Sequence, residues 1–167
     1  MNSKQNLILG IDPGLNKTGW AVINSNGSFD THIEHGEIVT KSNQDLGKRL
    51  NIIYDNLSMV FNRFSPDAIA VEKIFANKNP ESSLKLGKAR GIVYLVAAKN
   101  NLLINEYSPN TVKKNLVGYG HANKEQILEM LKRIFPELCF SSEDAADATA
   151  VAICHSMQNN SKLNRYL

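Results

Sequence analysis

Long apolar runs are missing from this chain of 167 residues. No window approaches the roughly 20 apolar residues that a membrane-spanning helix needs, and the polar start from Met1 to Asn6 does not resemble a signal peptide. The chain has only two cysteines, Cys139 and Cys154, and neither belongs to a CxxC pattern, which argues against a disulfide framework or a zinc site. These absences predict a protein with reduced thiols and no membrane contact that works in the cytoplasm.

A strong net charge is also missing, since the formal charge is only +3. The charge is unevenly distributed, because residues 73–133 hold eleven basic and four acidic residues while both flanks are net acidic. A basic middle favours a polyanion-binding face, although lysines that only solvate helix surfaces explain the same pattern. The hydrophobic fraction of 43% and the length predict one globular domain over residues 1–167.

Hydrophobic periodicity predicts an α/β fold: a mixed five-stranded sheet with flanking helices. Period-two or short apolar runs predict strands, and apolar residues every three or four positions predict helices. The first three strands follow one another closely, so we expect them to be antiparallel neighbours. The predicted strands are residues 7–12, 19–24, 32–39, 68–72 and 102–107. The predicted helices are residues 46–64, 80–100, a short one from Ser108-Pro109, 124–135, and one from about Ser141 that ends before Gln158.

Two carboxylates stand at the exits of predicted strands. Asp12 ends the first strand and is followed by a Pro-Gly turn, and Glu72 ends the fourth. Neighbouring strands would hold the two side chains rigidly beside each other. Considered alone, Asp12 is explained equally well as a residue that only starts a turn. Glu72 alone is explained equally well as a solvated residue at the end of a strand.

The last predicted helix contributes two more carboxylates. Asp144 and Asp147 are three residues apart, so they lie on one face near the helix start. All residues from Ala145 to Cys154 are apolar except Asp147 and Thr149, which predicts a buried helix whose carboxylates face the sheet. Asp144 alone is also explained as a charge favoured by the helix dipole behind a Ser141 cap. Glu143 is interpreted only as a charge at the helix start.

Four carboxylates in one place repel one another unless a cation lies between them. Hard oxygen ligands select Mg²⁺ or Mn²⁺. A pair of such ions can activate a water, hold a phosphate and stabilise a leaving oxygen, which is the chemistry of phosphodiester hydrolysis. We therefore predict a metal-dependent nuclease site at Asp12, Glu72, Asp144 and Asp147.

Five signatures follow one another along the chain, namely Gly10 to Gly19, Val71 to Phe75, Ser83 to Gly91, Val112-Lys113 with Val117-Gly118, and Asp144 to Ala148. In this order they resemble the RuvC family of Holliday-junction resolvases, and the resemblance is collinear from about Leu7 to His155. It implies an RNase H-like fold, two Mg²⁺ or Mn²⁺ ions per active site, and paired symmetric nicks in a four-way DNA junction. It also implies a homodimer that works with a junction-binding and branch-migrating helicase complex of the RuvA and RuvB type.

The resemblance implies roles for further residues. Lys113 and Lys124 match basic residues near the scissile phosphate, and Phe75 matches an aromatic residue at the junction. Further basic residues are expected to extend the DNA track, namely Lys85, Lys88, Arg90 and Lys114. The helix from Pro80 to about Asn100 is the predicted dimer interface, because it combines small residues (Gly87, Ala89, Gly91) with apolar ones (Leu84, Leu86, Ile92, Val93, Val96). The same residues are also explained by a helix that only packs on the sheet.

Three alternatives stay open at this stage. An actin-like or sugar-kinase ATPase also has an Asp-x-Gly strand turn, but such proteins need two domains. An inactive junction-binding module would keep the fold without cleaving DNA. A general RNase H-type nuclease would prefer RNA–DNA hybrids.

Overall fold

The computed structural model describes residues 6–26, 29–73, 80–140 and 142–163. The strands in these ranges are β1 Asn6–Asp12, β2 Lys17–Ser25, β3 Asp30–Val39, β4 Ala68–Glu72 and β5 Ile104–Tyr107. The helices are α1 Leu46–Phe64, α2 Pro80–Lys99, α3 Pro109–Val117, α4 Lys124–Ile134 and α5 Glu143–Leu163. The predicted order of strands and helices is therefore confirmed.

The sheet has the strand order β3-β2-β1-β4-β5. The pairs β1–β2 and β2–β3 are antiparallel, whereas β1–β4 and β4–β5 are parallel, as the closely spaced first strands predicted. In the β1–β4 pair Ile11 lies opposite Val71, so Asp12 and Glu72 come next on both strands. The two carboxylates therefore leave the sheet at the same edge.

Alternating side chains of β1 supply both halves of the core, because successive strand residues point to opposite faces. Leu9 and Ile11 pack with α1 and α2 on one face, and Ile8 packs with α3, α4 and α5 on the other. The middle of α5 is buried, with Ala145, Ala148 and Thr149 fully inaccessible. No helix within the described ranges is long and apolar enough to cross a membrane.

The predicted end of α5 before Gln158 is wrong, because the helix continues to Leu163. The polar residues there are held by hydrogen bonds: Asn159 contacts His155 one turn earlier at 2.8 Å, and the Gln158 amide donates to Asn115 of α3 at 3.4 Å. The capping hydroxyl at its start belongs to Ser142, which accepts from the Ala145 N–H at 3.2 Å. The predicted cap, Ser141, lies outside the described residues.

The predicted start of β5 is also wrong. β5 begins at Ile104 instead of Leu102, because the Leu102 N–H bonds back to Ala97 at the end of α2 and Asn101 adopts φ 56°. The predicted dimer face of α2 is partly wrong, because Val93 and Val96 are buried against the core. The exposed apolar side chains of that helix are Leu84, Tyr94 and Leu95.

Candidate active site

α5 lies directly on the sheet because β1 and β2 carry glycines beneath it. A Cβ on Gly10 would lie 2.0 Å from the Ala148 carbonyl oxygen, and one on Gly19 would lie 2.0 Å from that of Asp144. Any side chain at these positions would push the helix away. The two glycines therefore let α5 bring Asp144 and Asp147 to the sheet edge where Asp12 and Glu72 emerge.

The electrostatics of Asp12 show that the four carboxylates are neighbours. Burial raises the pKa of Asp12 to about 7, and the charges of Asp147, Glu72 and Asp144 contribute to the increase. Burial also raises the pKa of Glu72, with a further contribution from Asp147. This mutual repulsion means that the group carries more negative charge than the protein alone can neutralise.

Two lysines named from the resemblance lie at this site. The positive charge of Lys113 lowers the pKa of Glu72, and that of Lys124 lowers the pKa of Asp12. Burial raises the pKa of Asp147, and the positive charges of both lysines lower it. The Lys124 ammonium contacts the Glu143 carboxylate at 2.6 Å, and both side chains are exposed, so this ion pair can exchange for a contact with a bound phosphate.

The donor set fits hard divalent cations, since it consists of carboxylate oxygens. Within the described ranges, no three Asp, Glu, His or Cys side chains come close enough to enclose one ion. The four carboxylates thus form an open arrangement in which the raised pKa values reflect repulsion and burial. A cation between them would reduce that repulsion, which is the physical reason to assign a metal here.

Sequence reasoning missed a fifth carboxylate, Glu37 of β3. Its carboxylate accepts from Ser142 and from the protonated form of Asp144, and it accepts from the Lys17 ammonium at 3.0 Å. Burial raises the pKa of Asp144, and the bond to Glu37 raises it further. Strand alternation in the sequence puts Glu37 on the same face of β3 as His35, but it does not say that α5 covers that face.

Arg90 has protein partners beside the site. Its guanidinium forms an ion pair with Glu106 and donates to the backbone carbonyl of Glu72 at 2.6 Å, with only 11% of the side chain exposed. It holds the end of β4, and its predicted DNA contact stays a prediction.

The turn after Asp12 is also held by hydrogen bonds. The Thr18 hydroxyl donates to the Gly14 carbonyl at 2.7 Å, and the buried Arg49 guanidinium donates to the Leu15 carbonyl at 3.1 Å.

The other predicted DNA-contacting residues are exposed or lie outside the described residues. Lys88 and Lys114 are exposed, and exposed Lys85 pairs with Glu81 at 2.6 Å. Phe75 lies outside the described residues. The DNA roles of these residues, like those of Lys113 and Lys124, stay predictions.

Asp12→Asn should stabilise the metal-free protein at high pH. A folded-state pKa raised to about 7 means that Asp12 favours folding when protonated, and that this contribution is lost as pH rises through 7. Asparagine keeps the shape without the charge, so we expect the variant to gain up to about 4 kcal/mol at pH 8 and less than half of that at pH 5. Urea unfolding in EDTA measures this difference. Exposed Asp55→Asn is the control, and an equal gain at both pH values would contradict the assignment.

A family model described as crossover junction endodeoxyribonuclease RuvC matches residues 8–155. The chain belongs to the RuvC family. The matched range contains all four carboxylates, both site lysines and the glycines beneath α5. The family that the five sequence signatures suggested is thereby confirmed.

Curated RuvC proteins are similar over almost the whole chain. The RuvC of Rhizobium johnstonii is 44% identical over 158 residues, covering 95% of this chain and 94% of its own. A Wolbachia RuvC (strain TRS, Brugia malayi) is 49% identical over 152 residues, covering 89% and 92%. The solved T. thermophilus RuvC in complex with Holliday junction substrate has a TM-score of 0.89 at 29% identity, covering 94% of this chain and 96% of its own. The predicted RNase H-like fold of RuvC is confirmed by this match.

Proposed function

We propose that this chain is a structure-selective endonuclease that resolves four-way DNA junctions by paired symmetric nicks, in recombination and repair. The proposal rests on the proximity of four carboxylates at one end of the sheet, those of Asp12, Glu72, Asp144 and Asp147. The charges of the other three raise the pKa of Asp12. Membership of the RuvC family and the likeness to a RuvC bound to a Holliday junction support the choice of substrate.

The same four carboxylates are the proposed ligands of Mg²⁺ or Mn²⁺, with two ions per active site. Bound there, the ions supply an activated water and stabilise the charge of the leaving oxygen. Asp12 must be deprotonated to bind a cation, so metal affinity should rise as pH increases through about 7. Lys113 and Lys124 would bind the phosphate beside the cut, while Arg90 holds the end of β4 in place.

A substrate panel tests the proposal. The protein, in Mg²⁺, is offered a labelled four-way junction, a linear duplex of the same sequence and an RNA–DNA hybrid. We expect the junction to be cut at least about a hundredfold faster than either, which corresponds to about 2.7 kcal/mol of discrimination. Faster cutting of the hybrid would favour a general RNase H-type nuclease, and binding without cutting would favour an inactive module.

Two symmetric nicks need two active sites related by a two-fold axis, so we propose a C₂ dimer. The exposed face of α2 supports an interface, since Leu84, Tyr94 and Leu95 are 65%, 44% and 47% exposed and Gly87 and Gly91 face open space. Leu95→Lys should weaken dimerisation at least about tenfold, because it places a charge in an apolar contact. Sedimentation measures the effect, with Leu103→Lys as the matched control, since Leu103 is 88% exposed outside α2. A wild-type monomer at micromolar concentration would remove the proposal.

Phe75 is proposed to stack on an unpaired base where the junction strands cross. Base–aromatic stacking contributes about 1–3 kcal/mol, so Phe75→Ala should slow cutting of an intact junction by about tenfold or more. Phe75→Trp should retain much of the activity. A junction that is already unpaired at its centre should partly rescue the alanine variant. Lower thermal stability without rescue would instead make Phe75 a packing residue.

The remaining proposals concern the cellular setting. We propose that the dimer works in the cytoplasm with a branch-migrating helicase complex of the RuvA and RuvB type, which would present the junction to it. The state of the cysteines is compatible with a reducing compartment, since both Cys139 and Cys154 are free thiols.

A further inference from the structure

β3 contains a bulge that changes which of its side chains share a face. Its register against β2 pairs Val22 with Glu34 and Ile23 with His32, so Ile33 has no partner. In a regular strand, residues three apart point to opposite faces. The bulge inserts one extra residue, so the alternation of side chains between the two faces resumes one residue later. His32 and His35 therefore lie on the same face, the one covered by α5 and the connection between α4 and α5.

The two imidazoles meet on that face. His35 Nδ1 lies 3.0 Å from His32 Nε2, with the ring centroids 5.0 Å apart and the ring planes 59° from parallel. A metal ion bound at about 2.0–2.1 Å by two imidazoles separates their nitrogens by about 2.9–3.4 Å, for bond angles between 90° and 110°. The two nitrogens share a hydrogen bond in the metal-free protein, and their separation falls within that range. An ion can replace this hydrogen bond once the donor imidazole moves its proton to its other ring nitrogen.

The surroundings hold the pair in the form that binds metals. Burial lowers the pKa of both His32 and His35, which favours the neutral imidazole. The Phe135 ring contacts His32 and the Phe140 ring contacts His35, at centroid distances of 5.9 and 5.1 Å, and these contacts limit rotation of the imidazoles. Glu34 is occupied elsewhere, because both of its oxygens accept from Arg63 on the α1 face.

We propose that His32 and His35 form a second metal site, specific for borderline transition-metal ions such as Zn²⁺ and separate from the carboxylate site. Imidazole nitrogens select these ions, whereas carboxylates select Mg²⁺ and Mn²⁺. No third protein donor converges on the pair in the described part of the chain, so water completes the coordination. An ion there stabilises the bulge, because it binds the folded arrangement of β3 and not the unfolded chain.

Zn²⁺ titration of the whole protein in saturating Mg²⁺ tests the site, because Mg²⁺ is the proposed occupant of the carboxylates. We expect calorimetry to detect one equivalent of Zn²⁺, and the ring NMR signals of His32 and His35 to shift while that of exposed His121 does not. His32→Gln and His35→Gln should each weaken binding at least about tenfold, or about 1.4 kcal/mol. His121→Gln should leave it unchanged.

Two outcomes overturn the proposal. One is the absence of a Zn²⁺ equivalent in the wild-type protein in Mg²⁺. The other is binding that survives both histidine substitutions but is lost in Asp12→Asn or in Cys139→Ser, since the ion would then occupy the carboxylate site or the exposed thiol. The NMR measurement on the wild-type protein keeps the test valid if a histidine variant folds poorly.

Discussion

Replacing Asp12 by asparagine should lower the rate of junction cleavage at least about a thousandfold and leave junction binding nearly unchanged. Asparagine keeps the size of the side chain and removes the charge that a divalent cation needs. A thousandfold loss corresponds to about 4 kcal/mol of transition-state stabilisation, within what metal-ion catalysis contributes. Single-turnover cleavage in Mg²⁺ measures the rate, and a gel-shift assay in Ca²⁺ measures binding.

The same loss is expected for Glu72→Gln, Asp144→Asn and Asp147→Asn. Glu143→Gln is the matched control, because Glu143 precedes Asp144 but is exposed and pairs with Lys124; it should retain most of the activity. Ca²⁺ should support binding without cutting, since its looser coordination does not hold the attacking water in line. A variant that cuts at the wild-type rate in Mg²⁺ would show that its residue is not a metal ligand.

Lys113→Ala and Lys124→Ala should each slow cleavage by about ten- to a hundredfold, and each should flatten the salt dependence of binding. Their charges act on Glu72, Asp12 and Asp147, so a phosphate held at the carboxylates lies within their reach. Loss of one phosphate contact reduces the slope of log affinity against log salt by about 0.9. Binding titrations at several salt concentrations measure this slope.

Lys132→Ala is the control for both lysine variants, because Lys132 is an exposed lysine near the end of α4. It should change neither the rate nor the slope. If Lys113→Ala behaves like Lys132→Ala, then Lys113 is a solvated surface lysine with no role in binding or cleavage. A slower rate with an unchanged slope would instead indicate that the lysine acts on the carboxylates alone.

Local patterns were sufficient to predict most of the fold. The strand Ala68–Glu72 was predicted to the residue, because its apolar run ends abruptly at a carboxylate. Helix α1 was predicted equally well, since its apolar stripe is regular and Pro66 follows it. The end of α5 was not, because Asn159 and Gln158 are held by partners on α5 itself and on α3 that composition does not reveal.

The candidate site was predictable where its residues end strands or begin a buried helix. The role of Glu37 was not, because its contact with Asp144 depends on which face of β3 meets α5. Arg90 was expected on DNA from its charge, yet its protein partners, Glu106 and the Glu72 carbonyl, are brought to it by the packing of α2. The His32–His35 pair depends on a bulge, which the sequence alone does not indicate.

Mapping of the nicks on a four-way junction shows whether the protein cuts two strands symmetrically. Each strand is labelled in turn, the protein is added with Mg²⁺, and the products are sized at single-nucleotide resolution, with Asp147→Asn as the inactive control. We expect nicks at symmetric positions on two opposing strands and none with the variant. Nicks on one strand only, equal cutting of a linear duplex, or wild-type products from Asp147→Asn would contradict it.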